Sequence, residues 1–146
     1  MINSKNIEFS YENETTTCSI NYEGYTAIGV AKCHPDDFDM QNNNTGCEIA
    51  FRRAVIQLYY YQKRTIKNRL AALDQLYYSM KHSSHFNKDS YENQMLQRQR
   101  YITKMDLITI KEMIVTEKEK LKEYIQKKDD FYVSIRRNRA KKANNN

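Results

Sequence analysis

Apolar and polar residues alternate near the start of the chain, and this period of two is typical of a half-buried β-strand. Ile7, Phe9 and Tyr11 alternate in the first run and predict a short strand. Two stronger runs follow, TCSINY and YTAIGVAKC, which are joined by a turn containing Gly24 and predict a β-hairpin. Pro35 has no N–H to donate, so we expect it to end the second strand of this hairpin.

From Cys47 onward the apolar period becomes that of an α-helix. A coiled-coil seam is predicted by spacings of four and three among Ile66, Leu70, Leu73, Tyr77 and Met80. The run KHSSHFNKDS has no period and predicts a turn. A second helix is then expected from about Ser90 to about Arg137. Its heptad positions are apolar except at Glu117 and Lys128, and they comprise Leu107, Ile110, Ile114, Leu121, Tyr124, Phe131 and Ile135.

Capping residues precede both predicted helices. Thr45 followed by Glu48 matches a capping box, in which each side chain accepts an N–H bond from the other residue's backbone. Before the second helix, either Ser90 with Asn93 or Asp89 with Glu92 could serve as the cap.

These elements predict an α+β fold in which a small antiparallel sheet precedes two long helices that form a helical hairpin. We expect residues 1–46 to hold the sheet and a loop, and residues 47–140 to hold the hairpin within the same structural domain. Residues 141–146 are expected to form a disordered basic tail. Each seam has only one partner helix within the chain, so we expect a homodimer or a higher homo-oligomer to cover the remaining apolar residues.

Composition and charge separate the same two parts of the chain. All three glycines and the single proline precede Cys47, which favours long uninterrupted helices after it. Residues 1–46 contain two basic and seven acidic residues, whereas the remainder contains 22 basic and 11 acidic ones. This asymmetry favours an anionic ligand or self-assembly. No signal peptide and no apolar run of membrane-spanning length is present, so we expect a cytoplasmic protein that does not enter a membrane.

Metal binding and catalysis find little support in the pattern. Cys18, Cys33, His34 and Cys47 lack the close pairs typical of zinc sites, so we expect free thiols and no metal. The acidic turn at Asp36, Asp37 and Asp39 has no calcium-loop spacing. No nucleophile–base pair or phosphate-binding glycine loop is recognisable. We therefore expect no catalytic residues, no cofactor and no enzymatic activity.

Two groups of residues are candidates for an anionic ligand. Arg52 and Arg53 could pair with the acidic turn, or one of them could bind a phosphate through its guanidinium group. The predicted turn between the helices offers a stacking ring, an amide and cations, namely Phe86, Asn87, Tyr91, Arg98 and Arg100. The first helix spans about 50 Å, so the two groups imply either two sites or one site closed by a neighbouring subunit.

The segments GVAKCHPDDFD and GCEIAFRRA, which extend from Gly29 to Ala54, carry a resemblance to known proteins. With the small N-terminal sheet and the long helices, the chain resembles the phage Thoeris anti-defence sponge family of the first type described. The resemblance implies a binding protein that sequesters a cyclic ADP-ribose isomer, or a related cyclic nucleotide, and thereby blocks Thoeris defence without degrading the signal.

Two other functions remain open from the residues themselves. A phage nucleic-acid-binding or regulatory protein could use the basic helices, although glutamates interrupt the basic residues of the second helix and argue against a nucleic-acid partner. The helices could also form a structural coiled-coil scaffold.

Overall fold

The computed structural model describes residues 6–32 and 43–146, and it has the α+β fold that the sequence predicts. A three-stranded sheet precedes two long helices: β1 (Ile7–Glu12), β2 (Thr15–Tyr22), β3 (Tyr25–Lys32), α1 (Asn43–Lys81) and α2 (Tyr91–Asn144). The predictions for Cys33, His34, Pro35 and the acidic turn concern residues outside these described ranges.

The sheet is antiparallel with the order β1-β2-β3, and two-residue turns connect its strands. Asn13 and Glu14 in the first turn have φ of 51° and 57°, and Glu23 and Gly24 in the second have φ of 48° and 79°. Positive φ at both positions is the geometry of a type I′ turn, whose twist matches that of the flanking strands. Because β2 lies between the other two strands, β1 and β3 are the edge strands of this sheet.

One face of the sheet is buried. Thr16, Cys18 and Ile20 alternate along β2 and are buried, as are their partners on β3. Because directly paired residues point to the same face, Cys18 and Gly29 lie in one row of that face. The β3 residues on this face are small, which leaves room for a closely packed layer.

α1 supplies that layer through residues spaced four apart, Gly46, Ala50 and Ala54. A Cβ atom on Gly29 would overlap the Ala50 carbonyl oxygen, and one on Gly46 would lie 2.7 Å from the Thr16 hydroxyl. The helix and the sheet therefore approach each other at backbone distance. Small residues at these positions are a requirement of this packing.

The start of α1 differs from the predicted capping box. The helix begins at Asn43, so Thr45 lies inside it and is buried. Glu48 accepts a hydrogen bond from Arg52 one turn later. Thr45 is thus enclosed by packing, and the Glu48 carboxylate pairs with a cation of the same helix.

The chain divides into two compact units. Unit 1 comprises Met1–Leu58 and Thr116–Asn146, and unit 2 comprises Tyr59–Val115. Unit 1 therefore holds the sheet, the first part of α1 and the second part of α2. Unit 2 holds the remaining part of each helix and the turn that connects them.

The helices are antiparallel neighbours within unit 2, where Asp74 of α1 pairs with Arg100 of α2. The predicted α1 seam is confirmed as a half-buried stripe bounded by exposed residues. On α2 the side chains of Leu96, Ile110 and Ile114 are each 5% exposed. Long side chains fill this seam, in contrast to the small residues between α1 and the sheet.

The start of α2 is capped by Ser90, whose hydroxyl accepts a hydrogen bond from the Asn93 N–H at 3.2 Å. Of the two predicted caps, the structure adopts this one. α2 then continues to Asn144, beyond the predicted end at Arg137. Within the described residues, neither helix contains a segment apolar enough to cross a bilayer.

Candidate functional site

Arg53 lies at the edge of the sheet because the adjacent Ala54 packs against β3. The Nη1 atom of Arg53 donates a hydrogen bond to the Val30 carbonyl at 2.5 Å. β3 is an edge strand, and a bond from a charged donor satisfies this backbone acceptor. A guanidinium carries five N–H donors, so a bond to Val30 leaves the capacity to bind a second acceptor.

A groove of about 320 Å³ opens beside this contact within unit 1. β3, α1 and α2 all contribute to its walls, and two of its side chains are cationic, Arg53 and Lys118. The remaining lining residues are Ile28, Gly29, Val30, Ile56, Gln57 and Leu121. The groove thus combines apolar walls, one amide and two positive charges, and its volume falls at the low end of the ~300–1,000 Å³ range of small-molecule sites.

Arg52 points to different partners from Arg53, since consecutive helical residues are separated by about 100° around the axis. Its Nε donates to Glu48 Oε1 at 2.7 Å, and its guanidinium carbon lies 5.5 Å from the centre of the Tyr124 ring. Lys128 approaches the same ring at 5.6 Å. Arg52 therefore helps hold α1 to α2 within unit 1. The predicted alternative partners in the acidic turn lie outside the described residues.

Arg100 of the second predicted group is engaged in the seam of unit 2. Its Nε donates to Asp74 at 2.8 Å, its Nη1 donates to Gln97 at 2.9 Å, and its guanidinium lies 4.3 Å from the centre of the Tyr77 ring. The Arg100 side chain is 17% exposed. These contacts join α1 to α2, so Arg100 has a structural role that the sequence did not reveal.

The other members of this group lie at or near the turn of unit 2. Phe86 is half-buried, whereas Tyr91 and Arg98 are exposed. The side-chain oxygen of Asn87 accepts a hydrogen bond from the Asp89 N–H, which shapes the turn locally. The two predicted groups belong to different units.

The described cysteines are free thiols, as predicted for Cys18 and Cys47. Burial, with a smaller contribution from the Cys47 thiol, raises the pKa of Cys18 to about 11. The thiolate is the reactive form, so Cys18 is poorly suited to nucleophilic chemistry near neutral pH. Residues 6–32 and 43–146 contain no cluster of His, Cys, Asp and Glu that could hold a metal ion.

Lys118 and Gln57 line the groove although the sequence pattern did not single them out. Lys118 lies among alternating lysines and glutamates of α2, a pattern typical of a solvated helix face. Its position three residues before the seam residue Leu121 is the only available signal, because a residue so placed borders the helix interface.

No protein-family model, curated protein or solved structure matches this chain. The chemistry of the groove and of the two arginine environments is therefore the ground on which a function can be proposed.

Proposed function

We propose that this chain is a phage-encoded binding protein that sequesters a cyclic nucleotide immune signal, a cyclic ADP-ribose isomer or a related molecule, without degrading it. The groove at the edge of β3 is the observation that supports this proposal most. It places Arg53 and Lys118 beside apolar walls within one compact unit. The proposed setting is the cytoplasm of the infected bacterium, where a signal of Thoeris defence would be intercepted.

The chemistry of the proposed ligand matches the character of the groove. A cyclic ADP-ribose isomer carries two negatively charged phosphates, an adenine and two riboses. Guanidinium groups bind phosphate oxygens through paired N–H donors, and an ammonium adds a second positive charge. The Gln57 amide can donate to or accept from a hydroxyl group, and the apolar residues can contact the base.

The composition of the groove favours binding without turnover. Among the described residues that line it, none carries a carboxylate, an imidazole, a hydroxyl or a thiol. Hydrolysis of a phosphate or glycosidic bond generally uses such a group, or a metal ion, to activate water. A protein that retains its ligand intact removes the signal for as long as it stays bound.

Titration calorimetry with cyclic ADP-ribose isomers and cyclic dinucleotides tests this proposal. Arg53→Ala and Lys118→Ala should each weaken binding about tenfold or more, since a charge-assisted hydrogen bond contributes roughly 1.5–3 kcal/mol. Lys122→Ala is the matched control, because it removes an exposed lysine from the same helix without altering the groove of Arg53. Ligand recovered by heat denaturation should be chemically intact.

The possible results of these titrations test the proposed function and the proposed site separately. If the parent protein binds none of these nucleotides, the sequestration proposal is wrong. If the parent binds and all three variants bind equally well, the groove is not the site. Loss of binding in Phe86→Ala, with retention in Arg53→Ala, would move the site to the turn of unit 2.

One observation favours nucleic acid as an alternative ligand. Residues 136–142 of α2 carry five cations, namely Arg136, Arg137, Arg139, Lys141 and Lys142, and no acidic residue follows Asp130. Binding to a phosphate backbone loses affinity steeply as salt rises from about 50 to 200 mM. A nucleic-acid-binding protein would show this dependence with duplex or single-stranded oligonucleotides, whereas a purely structural scaffold would bind neither oligonucleotides nor cyclic nucleotides.

A further inference from the structure

The buried residues of α2 in unit 2 define a heptad register. Asn93, Leu96, Thr103, Ile110 and Ile114 are buried, and Arg100 and Leu107 complete the same column at spacings of three and four. These are the a and d positions of a heptad, which face α1 in this unit. The b, c and f positions lie on the opposite side of the helix.

That opposite side carries large apolar side chains. We call this set the outer stripe, and it consists of Met95, Tyr101, Ile102, Met105, Ile108 and Val115. Their exposed fractions range from 36% for Met95 to 64% for Tyr101. Monomeric proteins rarely expose contiguous apolar patches larger than a few hundred Å². Six large side chains on one helix face therefore indicate a surface that another molecule covers.

The outer stripe is confined to unit 2. In the second part of α2, the b, c and f positions are mainly charged or polar, as at Glu119, Lys122, Glu123, Asp129 and Asp130. These residues are exposed, and a charged face of this kind is normal for a helix in water. We therefore expect the covering molecule to contact only the part of α2 that precedes Thr116.

The stripe is self-complementary about Met105, which occupies an f position. The b and c positions lie on either side of the f column, and a two-fold axis at Met105 that relates two antiparallel α2 helices sets b beside b and c beside c. Tyr101 and Ile108 are b residues, four before and three after Met105, so Tyr101 of one copy lies beside Ile108 of the other, and this contact occurs twice in each dimer. The two Met105 side chains meet on the axis, so the centre of the contact is apolar.

Charge favours the same arrangement. Arg98 and Glu112 occupy f positions one heptad before and one heptad after Met105. The two-fold axis brings Arg98 of one copy opposite Glu112 of the other, and it does so twice in each dimer. A parallel pair in register would instead place Arg98 opposite Arg98 and Glu112 opposite Glu112, which is unfavourable.

We propose that the outer stripe is a homodimer interface in which two copies of α2 pack antiparallel about Met105, with Arg98 and Glu112 forming reciprocal ion pairs. The occupant is a second copy of this chain, because an identical helix in this register supplies apolar partners for Tyr101, Met105 and Ile108 together with the opposite charges for Arg98 and Glu112. The proposal does not depend on the ligand of unit 1. It assigns Arg98 to an interface with a neighbouring chain.

Charge reversal tests the ion pairs. Arg98→Glu alone and Glu112→Arg alone each place like charges opposite one another, and each should raise the dimer dissociation constant at least about a hundredfold. The double variant carrying both reversals should regain association close to that of the parent. Sedimentation equilibrium over a micromolar concentration series measures all four proteins, and circular dichroism confirms that their helix content is equal.

A cysteine placed on the two-fold axis tests the register. Met105→Cys should form a disulfide-linked dimer under mild oxidation, because the axis brings this residue close to its own copy. Met113→Cys is the matched control, because it makes the same substitution on the same helix. Met113 is 38% exposed and Met105 is 41% exposed, but Met113 lies away from the f column. The native cysteines are present in both variants, and the parent protein gives their background.

Three results would overturn the proposal. A parent protein that remains monomeric at about 100 μM has no such interface. Charge-reversed single variants that associate as tightly as the parent exclude the reciprocal pairs. Equal cross-linking of Met105→Cys and Met113→Cys excludes the antiparallel register.

Discussion

In unit 1 a helix meets a sheet at backbone distance, whereas in unit 2 two helices meet through long side chains. The first contact depends on small residues, and Cys18, Ala27, Ala50 and Ala54 are all 0% exposed. The second contact includes polar residues, and the Arg100 side chain that joins the two helices retains partial exposure. The two contacts differ in how much added side-chain volume they tolerate. A contact between backbones cannot accept a larger side chain, whereas flexible side chains in a seam can rearrange around one.

The largest expected effect is at Gly29. In Gly29→Ala the new methyl group would overlap the Ala50 carbonyl, and α1 would have to move away from β3. We expect a loss of about 3 kcal/mol or more in the free energy of unfolding of unit 1. Hydrogen exchange followed by mass spectrometry should show lost protection in residues 6–32 and 43–58 and little change in residues 59–115.

Gly24→Ala is the control for this variant. Gly24 has φ of 79°, but a methyl group added there would have no atom within 4 Å, so only backbone strain of about 1 kcal/mol is expected. Equal losses at the two glycines would contradict the close approach of α1 to β3.

Two leucine truncations, one in each unit, test the comparison of the units with effects of intermediate size. Leu58 of unit 1 is 1% exposed, whereas Leu73 of the unit 2 seam is half-buried. Leu58→Ala should cost about 2–5 kcal/mol, because it removes a fully enclosed side chain and leaves a cavity. Leu73→Ala should cost about 1 kcal/mol, since part of its surface already contacts water. Urea unfolding followed by circular dichroism measures both, and a larger loss at Leu73 would reverse the comparison.

The smallest expected effect is at Arg100. Arg100→Met removes the bonds to Asp74 and Gln97 but keeps an apolar chain beside Tyr77, so we expect a loss of about 1 kcal/mol. Asp74 is 46% exposed, and solvent screening keeps the value low. A double-mutant cycle with Asp74→Asn isolates the coupling between the two residues. A coupling energy near zero would show that the ion pair does not help to hold the helices together.

The elements with a regular period were predictable from the sequence. The seam from Ile66 to Met80 and the cap at Ser90 depend on spacing along one segment, and both are present in the structure. The contact of Gly29 with Ala50 and Ala54 depends on two segments meeting. Its signal, small residues four apart in GCEIAFRRA, is meaningful only when a facing strand is known.

The partners of the arginines were not predictable for the same reason. Arg53 bonds a backbone carbonyl of β3, and Arg100 bonds an aspartate on the other helix. Neither acceptor is near its arginine in the sequence. Lys118 joins the groove only because α2 passes beside α1 within unit 1. The ligand and the resemblance to the sponge family stay predictions.

The bond from Arg53 to Val30 also bears on how the isolated protein behaves at high concentration. β3 is an edge strand with Ile28 and Val30 exposed, and such edges can recruit strands from other molecules and start aggregation. A guanidinium across the Val30 carbonyl occupies an acceptor that an incoming strand would use, and it places a positive charge at the point of approach. We therefore expect Arg53 to hinder strand addition at this edge, and its removal should lower the solubility of the protein.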